Sequence, residues 1–219
     1  MTYVLSDVHG LIDKFEAMLA EINFGPADRL YIIGDVIDRG EHGVAILRRI
    51  MAASNMTLLM GNHELMCLSA VSGNENAADI WFGNGGEVTY KALDALPDSE
   101  FSEVMNYMHG LPEYLELDAV GKKFYLVHGD YGDTQYERLW CRPRPFLPSR
   151  LPDRRIIVGH TPVVIFQTNP TRYLQSVQHM EIFHCEGFIG VDCGCALVGQ
   201  FRQACLGCLR LDDMADFYV

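Results

Sequence analysis

The chain has few basic residues and no long hydrophobic run. It contains 17 lysines and arginines against 29 aspartates and glutamates, which gives a formal net charge of -12 at pH 7. Such an excess of negative charge disfavours nucleic acid and anionic membranes as partners. No stretch approaches the roughly 20 consecutive apolar residues of a membrane-spanning helix. An anionic ligand would therefore have to be held locally, by metal ions or by a few arginines.

The seven cysteines are an odd number, and most of them lie within apolar stretches. The first residues carry no basic cluster ahead of an apolar segment, so we expect no signal peptide. Free thiols then indicate a reducing compartment, and we expect a cytoplasmic protein. The closely spaced pairs Cys193/Cys195 and Cys205/Cys208 are of a type that binds structural zinc, but their apolar surroundings favour small buried side chains.

Three short apolar runs in the first third of the chain each end in a polar turn that contains glycine. They comprise residues 3–5, 30–33 and 57–60. A helical pattern follows each turn, and after the first run the apolar residues recur at a spacing of 3.6. This alternation predicts βαβ units in a parallel sheet.

The second half of the chain has more strand-like segments. These segments comprise residues 124–127, 155–158, 182–184, 188–191 and 205–211. We expect them to form a second sheet that packs on the first.

Residues 72–111 interrupt the strand pattern with short helical pieces. The pieces comprise residues 80–82, 88–96 and 101–108. About 40 residues are few for an independent core. We therefore expect a single domain over residues 1–219, with a helical insertion at about 72–111. This insertion and a proline-rich loop at 142–148 are expected to contribute to specificity.

Polar side chains of a restricted set of types follow the apolar runs directly. They are Asp7, His9, Asp35, Asp38, Arg39, Asn62, His63, His128 and His160. Because the carboxyl ends of parallel strands meet at one edge of a sheet, we expect these side chains to converge. Carboxylate, imidazole and amide oxygen are ligands for Mn, Fe or Zn.

The spacing of these residues suits two metal ions. Asp7 and His9 are two residues apart and would point to the same side of an extended backbone. Asp35 is placed to bridge two ions. The second ion would be completed by Asn62, His128 and His160. Two ions about 3.5–4 Å apart stabilise the attacking and leaving oxygens of an in-line displacement.

Five segments in this order resemble those of a known family. They are residues 7–10 (DVHG), 34–40 (GDVIDRG), 61–64 (GNHE), 128–129 (HG) and 159–161 (GHT). The chain resembles the phosphoprotein phosphatase branch of the binuclear metallophosphoesterases, and in particular small bacterial and phage-type serine/threonine phosphatases. The resemblance implies an α/β fold of two packed mixed β-sheets flanked by helices, a four-layer sandwich.

The resemblance also implies two divalent metal ions, with Mn²⁺ preferred and Fe or Zn as alternatives. One ion would be held by Asp7, His9 and Asp35. The other would be held by Asp35, Asn62, His128 and His160. A hydroxide between the ions would attack phosphorus in line, without a phosphoenzyme.

Catalytic and substrate-binding roles are implied in the same way. His63, oriented by Asp38, would protonate the leaving alkoxide, and a general acid does need a second group to fix its tautomer. Arg39 would bind the phosphate oxygens through its planar guanidinium group. Asn62 would contribute to substrate binding as well as to the metal.

A further phosphate-binding arginine is expected between the His128 and His160 motifs. Arg142 is our choice, with Arg138 and Arg144 as rivals. The members resembled carry an arginine before the GNHE motif, where this chain has Met60. The missing positive charge affects the expected substrate affinity rather than the chemistry.

The pattern favours a serine/threonine protein phosphatase acting on phosphorylated protein or peptide. The alternative is a symmetrical dinucleoside tetraphosphate (Ap4A) hydrolase, because those enzymes share most of the motifs. Glu64 favours the phosphatase, since the hydrolases more often carry Asp at that position. A remote alternative is an inactive binding module, which the complete ligand set disfavours.

Overall fold

A computed structural model of the chain describes residues 1–145 and 147–219, without the side chain of residue 75. Phe146, in the proline-rich loop predicted at 142–148, lies outside the described residues. Two five-stranded mixed sheets form the centre, and helices flank them. This arrangement confirms the fold class expected from the sequence.

The first sheet contains the three predicted parallel strands. They are β1 (Thr2–Leu5), β2 (Arg29–Ile32) and β3 (Met56–Leu58). The helices that follow them are α1 (Ile12–Glu21), α2 (Gly43–Met51) and α3 (Asn62–Val71). In α1 the apolar stripe places Phe15, Met18 and Leu19 in the core, as the 3.6-residue spacing predicts.

The second sheet has the strand order β4-β5-β6-β8-β7. Its strands are β4 (Tyr114–Ala119), β5 (Lys122–Val127), β6 (Arg155–Val158), β7 (Phe183–His184) and β8 (Ile189–Gly190). Strands β5, β6 and β8 run parallel, so their carboxyl ends reach one edge. Sequence reasoning missed β4, which pairs with β5 as an edge strand.

One predicted strand belongs to the other sheet. The run 205–211 forms β9 (Gly207–Arg210), which pairs antiparallel with β1 and with β10 (Ala215–Tyr218) in the first sheet. The prediction was wrong because β9 is apolar on both faces: Cys208 packs in one core cluster and Leu209 in the other. When both faces of a strand are apolar, its sequence does not indicate which of two sheets it joins.

Two hydrophobic clusters hold these layers together. One lies between the first sheet and its helices and includes Phe15, Ile32 and Leu47. The other lies between the sheets, where Ile33 packs with residues such as Phe124. Each fully buried side chain of this size contributes about 1.5–3 kcal/mol.

The region 72–111 is helical: the predicted pieces 80–82 and 101–108 lie inside longer helices, and the piece 88–96 extends two residues beyond the helix that contains most of it. The helices are α4 (Glu75–Gly83), α5 (Glu87–Asp94) and α6 (Asp98–His109). Two further helices, α7 (Gln135–Trp140) and α8 (Pro170–Ser176), flank the second sheet's loops. Within the described ranges, none of the helices has the length and apolar character that crossing a membrane requires.

Candidate active site

The ends of five parallel strands bring the predicted polar residues together. Strands β1, β2 and β3 lead to residues 7–9, 35–39 and 62–63, and β5 and β6 lead to His128 and His160. A cavity of about 500 Å³ lies over this edge. Its lining includes Asp7, His9, Asp35, Arg39, Asn62, His63, Arg142 and His160. His128 is fully buried behind them.

The backbone at this edge is strained. Nine non-glycine residues have positive φ among the described residues, and six of them belong to the predicted site. These six are Asp7, His9, Asp35, Asp38, Arg39 and His160. Such conformations cost about 1–3 kcal/mol each and persist where the surroundings enforce them, often at functional sites.

Two glycines allow the motifs to approach each other. A Cβ on Gly61 would lie 2.2 Å from Asp35 Oδ1, and one on Gly159 would lie 2.5 Å from Asp7 Oδ2. Backbone therefore lies directly against both carboxylates. His63 N–H donates to Asp35 Oδ1 over 3.0 Å, and His160 N–H donates to Asp7 Oδ2 over 2.9 Å.

The first predicted ligand group surrounds His9. Its Nδ1 lies 3.1 Å from the carbonyl oxygen of Ile37, which can only accept, so Nδ1 carries the proton. Nε2 therefore presents a lone pair, 3.7 Å from Asp35 Oδ2 and 3.9 Å from Asp7 Oδ1. Burial holds the pKa of His9 well below its usual value, which keeps the ring neutral, as a metal ligand must be.

The second predicted group surrounds His128. Its Nδ1–H donates to the carbonyl oxygen of Ile33 over 2.8 Å, so in the neutral ring Nε2 presents a lone pair. That atom lies 2.9 Å from Asn62 Oδ1 and 3.2 Å from Asp35 Oδ2, both of them acceptors. His160 Nδ1 lies 3.0 Å from the same Asn62 oxygen. Acceptors that face each other in this way require a proton or a cation between them.

The electrostatics of the second group show the same need for positive charge. Burial disfavours the imidazolium form of His128, yet the Asp35 carboxylate raises its pKa to about 10. Burial, followed by repulsion from His128, lowers the pKa of His160 to about 3. Burial works against ionisation of Asp35, but His128 holds its pKa well below the usual range. A bound cation would supply the charge that His128 otherwise carries.

These donors fit a pair of divalent ions. Two clusters of closely spaced ligand atoms share Asp35: one contains His9 and His63, and the other contains His128 and His160. The donors are nitrogen and oxygen atoms, which suit Mn, Fe or Zn. Asp7 lies next to the first cluster, where burial raises its pKa to about 6.

His63, a member of the first cluster, forms a buried pair with Asp38. His63 Nδ1–H donates to Asp38 Oδ2 over 2.6 Å, which leaves Nε2 directed towards the cavity. Sequence reasoning did not find the contact that Trp81 makes with this pair. The structure shows that Trp81 is buried and that its Nε1–H also donates to Asp38 Oδ2, over 2.8 Å.

Arg39 lies between the two imidazoles. Its Nη1 is 2.8 Å from His9 Nε2, and its Nη2 is 3.1 Å from His63 Nε2. The guanidinium group thus occupies the side of the cavity nearest the first ligand cluster. There its planar donors can pair with phosphate oxygens.

Glu64 is a second residue whose contacts sequence reasoning missed. Its buried carboxylate accepts the N–H groups of Asp35 (2.8 Å), Val36 (2.9 Å) and Gly61 (3.0 Å). Burial, followed by the neighbouring Asp35 charge, raises the pKa of Glu64 to about 7. The contact with Gly61 is that of a glutamate at the third helical position, a signal present in the sequence. Glu64 therefore supports the turn after β2 and does not face the substrate cavity.

The structure separates the three candidate arginines. Arg138 pairs with Glu113 at 2.6 Å and lies over the ring of Tyr114, so its charge is already engaged. Arg144 lines a neighbouring cavity. Arg142 lines the cavity that contains the predicted ligands. This position favours Arg142 as the phosphate-binding residue.

Asp192 and the cysteines complete the surroundings. Asp192 lines the same cavity and accepts the N–H of Gly194 over 2.9 Å. Burial, and then the Asp7 charge, raises its pKa well above the usual value. Neither cluster of metal-binding side chains found among the described residues contains a cysteine. The cysteine pairs lie largely in the core, as their apolar surroundings predict.

Comparison with known families agrees with this geometry. The sequence pattern of calcineurin-like phosphoesterases matches residues 2–187, which include every predicted ligand. The chain belongs to the calcineurin-like phosphoesterase family. The resemblance noted from the sequence motifs is thereby confirmed.

Relatives within the calcineurin-like phosphoesterases have different names. Serine/threonine-protein phosphatase 2 of Salmonella typhimurium is 30% identical over 152 residues, which cover 65% of this chain and 68% of that protein. The symmetrical bis(5'-nucleosyl)-tetraphosphatase of Acidovorax ebreus is 44% identical over 73 residues, which cover 32% of this chain and 26% of that protein. The part of the chain that matches this hydrolase thus spans about a quarter of the hydrolase's length.

A solved structure supports the fold. The cold-active protein-tyrosine phosphatase of a psychrophilic Shewanella species has a TM-score of 0.63 and 16% sequence identity, covering 99% of this chain and 79% of that one. At this identity the likeness concerns the fold alone.

Proposed function

We propose that this chain is a metal-dependent phosphomonoesterase that removes phosphate from phosphoserine or phosphothreonine in proteins. The observation that carries the proposal is the 2.6 Å hydrogen bond between His63 and Asp38, at the edge of two groups of ligand atoms that share Asp35 and of which the first also includes His63. An acid held next to a dimetal site is what cleavage of a poor alkoxide leaving group requires. The similarity to a bacterial serine/threonine phosphatase over 65% of the chain supports the same assignment.

The ligand groups define where cations would bind. Asp7, His9 and Asp35 would hold one ion. The other would be held by Asp35, Asn62, His128 and His160. When bound, two such ions supply positive charge to the phosphoryl oxygens and lower the pKa of a water molecule. The sharing of Asp35 by both clusters fits a bridging carboxylate.

The remaining residues would bind the substrate and move a proton. Arg39 and Arg142 line the cavity and would pair with phosphate oxygens, which fixes the phosphorus for in-line attack. Asn62 would contribute its amide group. His63, protonated on both nitrogens, would donate its Nε2 proton to the leaving oxygen while Nδ1–H stays bonded to Asp38.

The direct test is metal reconstitution. Protein stripped with a chelator should not hydrolyse p-nitrophenyl phosphate or a phosphoserine peptide, and Mn²⁺ should restore both activities. Parallel reconstitutions with Fe and Zn compare how far each metal restores the two activities. If the protein hydrolyses no phosphomonoester with any of these metals, the proposal is refuted.

A second candidate is symmetrical cleavage of Ap4A. Its support is the local similarity to the Acidovorax hydrolase, 44% over 73 residues. The Glu64 preference from the sequence has less weight here, because the carboxylate of Glu64 binds backbone N–H groups rather than facing the cavity. Parallel measurement of kcat/KM for Ap4A and a phosphoserine peptide, in one metal-loaded preparation, decides between the candidates.

A further inference from the structure

The segment 81–89 of the helical region makes three hydrogen bonds to Asp38 and Arg39. Trp81 Nε1–H donates to Asp38 Oδ2 over 2.8 Å. Asp38 N–H donates to Thr89 Oγ1 over 2.9 Å, and Arg39 N–H donates to the carbonyl oxygen of Gly85 over 3.1 Å. Residues from α4, from α5 and from the turn between them thus contact the turn after β2 directly.

This turn needs external support. Asp38 and Arg39 have φ values of 70° and 66°, a conformation that is uncommon for residues with a side chain. Within the described part of the chain, Asp38 Oδ1 is buried without a hydrogen-bond partner. The orientation of the carboxylate therefore depends on Oδ2, which accepts from both His63 and Trp81.

The indole of Trp81 is itself held firmly. Its side chain is 1% exposed, and Phe82 stacks beside it with ring centroids 5.5 Å apart. Gly86 lies against the ring so closely that a Cβ there would be 2.4 Å from Nε1. Close packing on these sides fixes the direction of the N–H bond.

We propose that Trp81 is a positioning residue for the general acid. Its N–H holds the Asp38 carboxylate in the orientation that binds His63 Nδ1–H, and this keeps His63 Nε2 facing the leaving oxygen. The inference rests on the proposed function, since it deepens the role of the His63–Asp38 pair. Without the indole N–H, the carboxylate is free to rotate and the imidazole loses its fixed orientation.

The test uses two leaving groups that differ in their need for a proton. A serine alkoxide is a poor leaving group and depends on the acid, whereas p-nitrophenolate leaves with little help. In Trp81→Phe, kcat for a phosphoserine peptide should fall about tenfold or more, while kcat for p-nitrophenyl phosphate should change about twofold at most. KM for both substrates should stay close to the wild-type value, because no phosphate-binding group has changed.

A second variant separates the hydrogen bond from packing. Incorporation of β-(3-benzothienyl)alanine at position 81 replaces the indole N–H with sulfur and keeps the ring shape. It should give the same selective loss as Trp81→Phe. Tyr90→Phe is the matched control, since Tyr90 belongs to the same helical region, is 46% exposed and packs against Phe82 rather than Trp81, and it should preserve the wild-type ratio of the two activities.

Proton NMR gives a readout independent of turnover. The Nδ1–H resonance of His63, assigned by its loss in His63→Gln, should weaken or shift in both Trp81 variants and persist in Tyr90→Phe. Equal losses on both substrates, or a benzothienyl variant with wild-type kinetics and an unchanged resonance, would overturn the positioning role. A wild type inactive on both substrates would instead overturn the proposed function.

Discussion

His63 is the residue on which the proposed chemistry most depends, because its Nε2 faces the cavity while its Nδ1 is bonded to Asp38. In the proposed roles, Nε2 donates the proton, Nδ1 binds Asp38, and neither nitrogen binds a metal ion. Removal of the ring should therefore affect the rate more than the metal content.

We expect His63→Gln to lower kcat for a phosphoserine peptide by roughly 10²–10⁴, the usual contribution of a positioned general acid. Steady-state kinetics and elemental analysis of the same preparation check this. His184→Gln is the matched control, since His184 pairs with Asp216 outside the cavity and should retain wild-type kinetics. Loss of bound metal in His63→Gln with little intrinsic rate effect would show that His63 is a ligand instead.

The arginines give a second prediction at this scale. Arg142→Gln should raise KM for a phosphoserine peptide roughly 10–100-fold, since a charged hydrogen bond to phosphate is worth about 1.5–3 kcal/mol. Arg144→Gln removes the same charge from the neighbouring cavity and should leave KM near the wild-type value. A large rise in KM for Arg144→Gln, with KM of Arg142→Gln near the wild-type value, would reassign the phosphate contact to Arg144.

At the scale of elements, the turn after β2 is held from two sides. On one side, the carboxylate of Glu64 in α3 accepts hydrogen bonds from the turn's N–H groups at Asp35 and Val36. On the other side, the segment 81–89 contacts Asp38 and Arg39. The strained φ angles of the turn are thus maintained by helices that follow it in the chain.

Glu64→Gln should destabilise the protein by about 1–3 kcal/mol, because an amide cannot accept all the buried N–H groups that the carboxylate binds. Thermal or denaturant unfolding of the metal-free protein measures this. Glu87→Gln is the control: Glu87 is exposed and pairs with Lys91 on the surface, so its loss should leave the midpoint unchanged. An unfolding midpoint for Glu64→Gln equal to that of the control would contradict the support assigned to Glu64.

Sequence reasoning predicted the elements whose signals are local. The apolar runs before Asp7, Asp35 and Asn62 each end in a glycine-containing motif, so both the parallel strands and the converging side chains could be expected. The contact of Trp81 with Asp38 could not, because the two residues are 43 positions apart and join through tertiary packing. The same limit explains the misplacement of β9, whose two apolar faces fit either sheet.

For the molecule as a whole, the two sheets combine their strand ends into one site. The first sheet contributes Asp7, Asp35 and Asn62, and the second contributes His128 and His160. Neither sheet alone supplies the complete ligand set proposed for two ions. Metal binding should therefore stabilise the packing of the sheets against each other, since it links ligand affinity to the folded state.

This linkage predicts a rise in the midpoint of thermal unfolding when Mn²⁺ is added to metal-free protein. At an ion concentration one hundred times Kd, each site would contribute about 2.7 kcal/mol. His128→Ala, which removes a proposed ligand from the second sheet, should reduce the shift. If Mn²⁺ at concentrations that support activity leaves the midpoint of thermal unfolding unchanged, the linkage is contradicted.

The central claim is that Asp35 bridges two cations at the junction of the sheets. Anomalous diffraction from crystals of Mn²⁺-loaded protein tests it most directly. A bridging Asp35 predicts two peaks about 3.5–4 Å apart on either side of its carboxylate, one beside His9 and one between His128 and His160. A single peak, or peaks remote from Asp35, would contradict it.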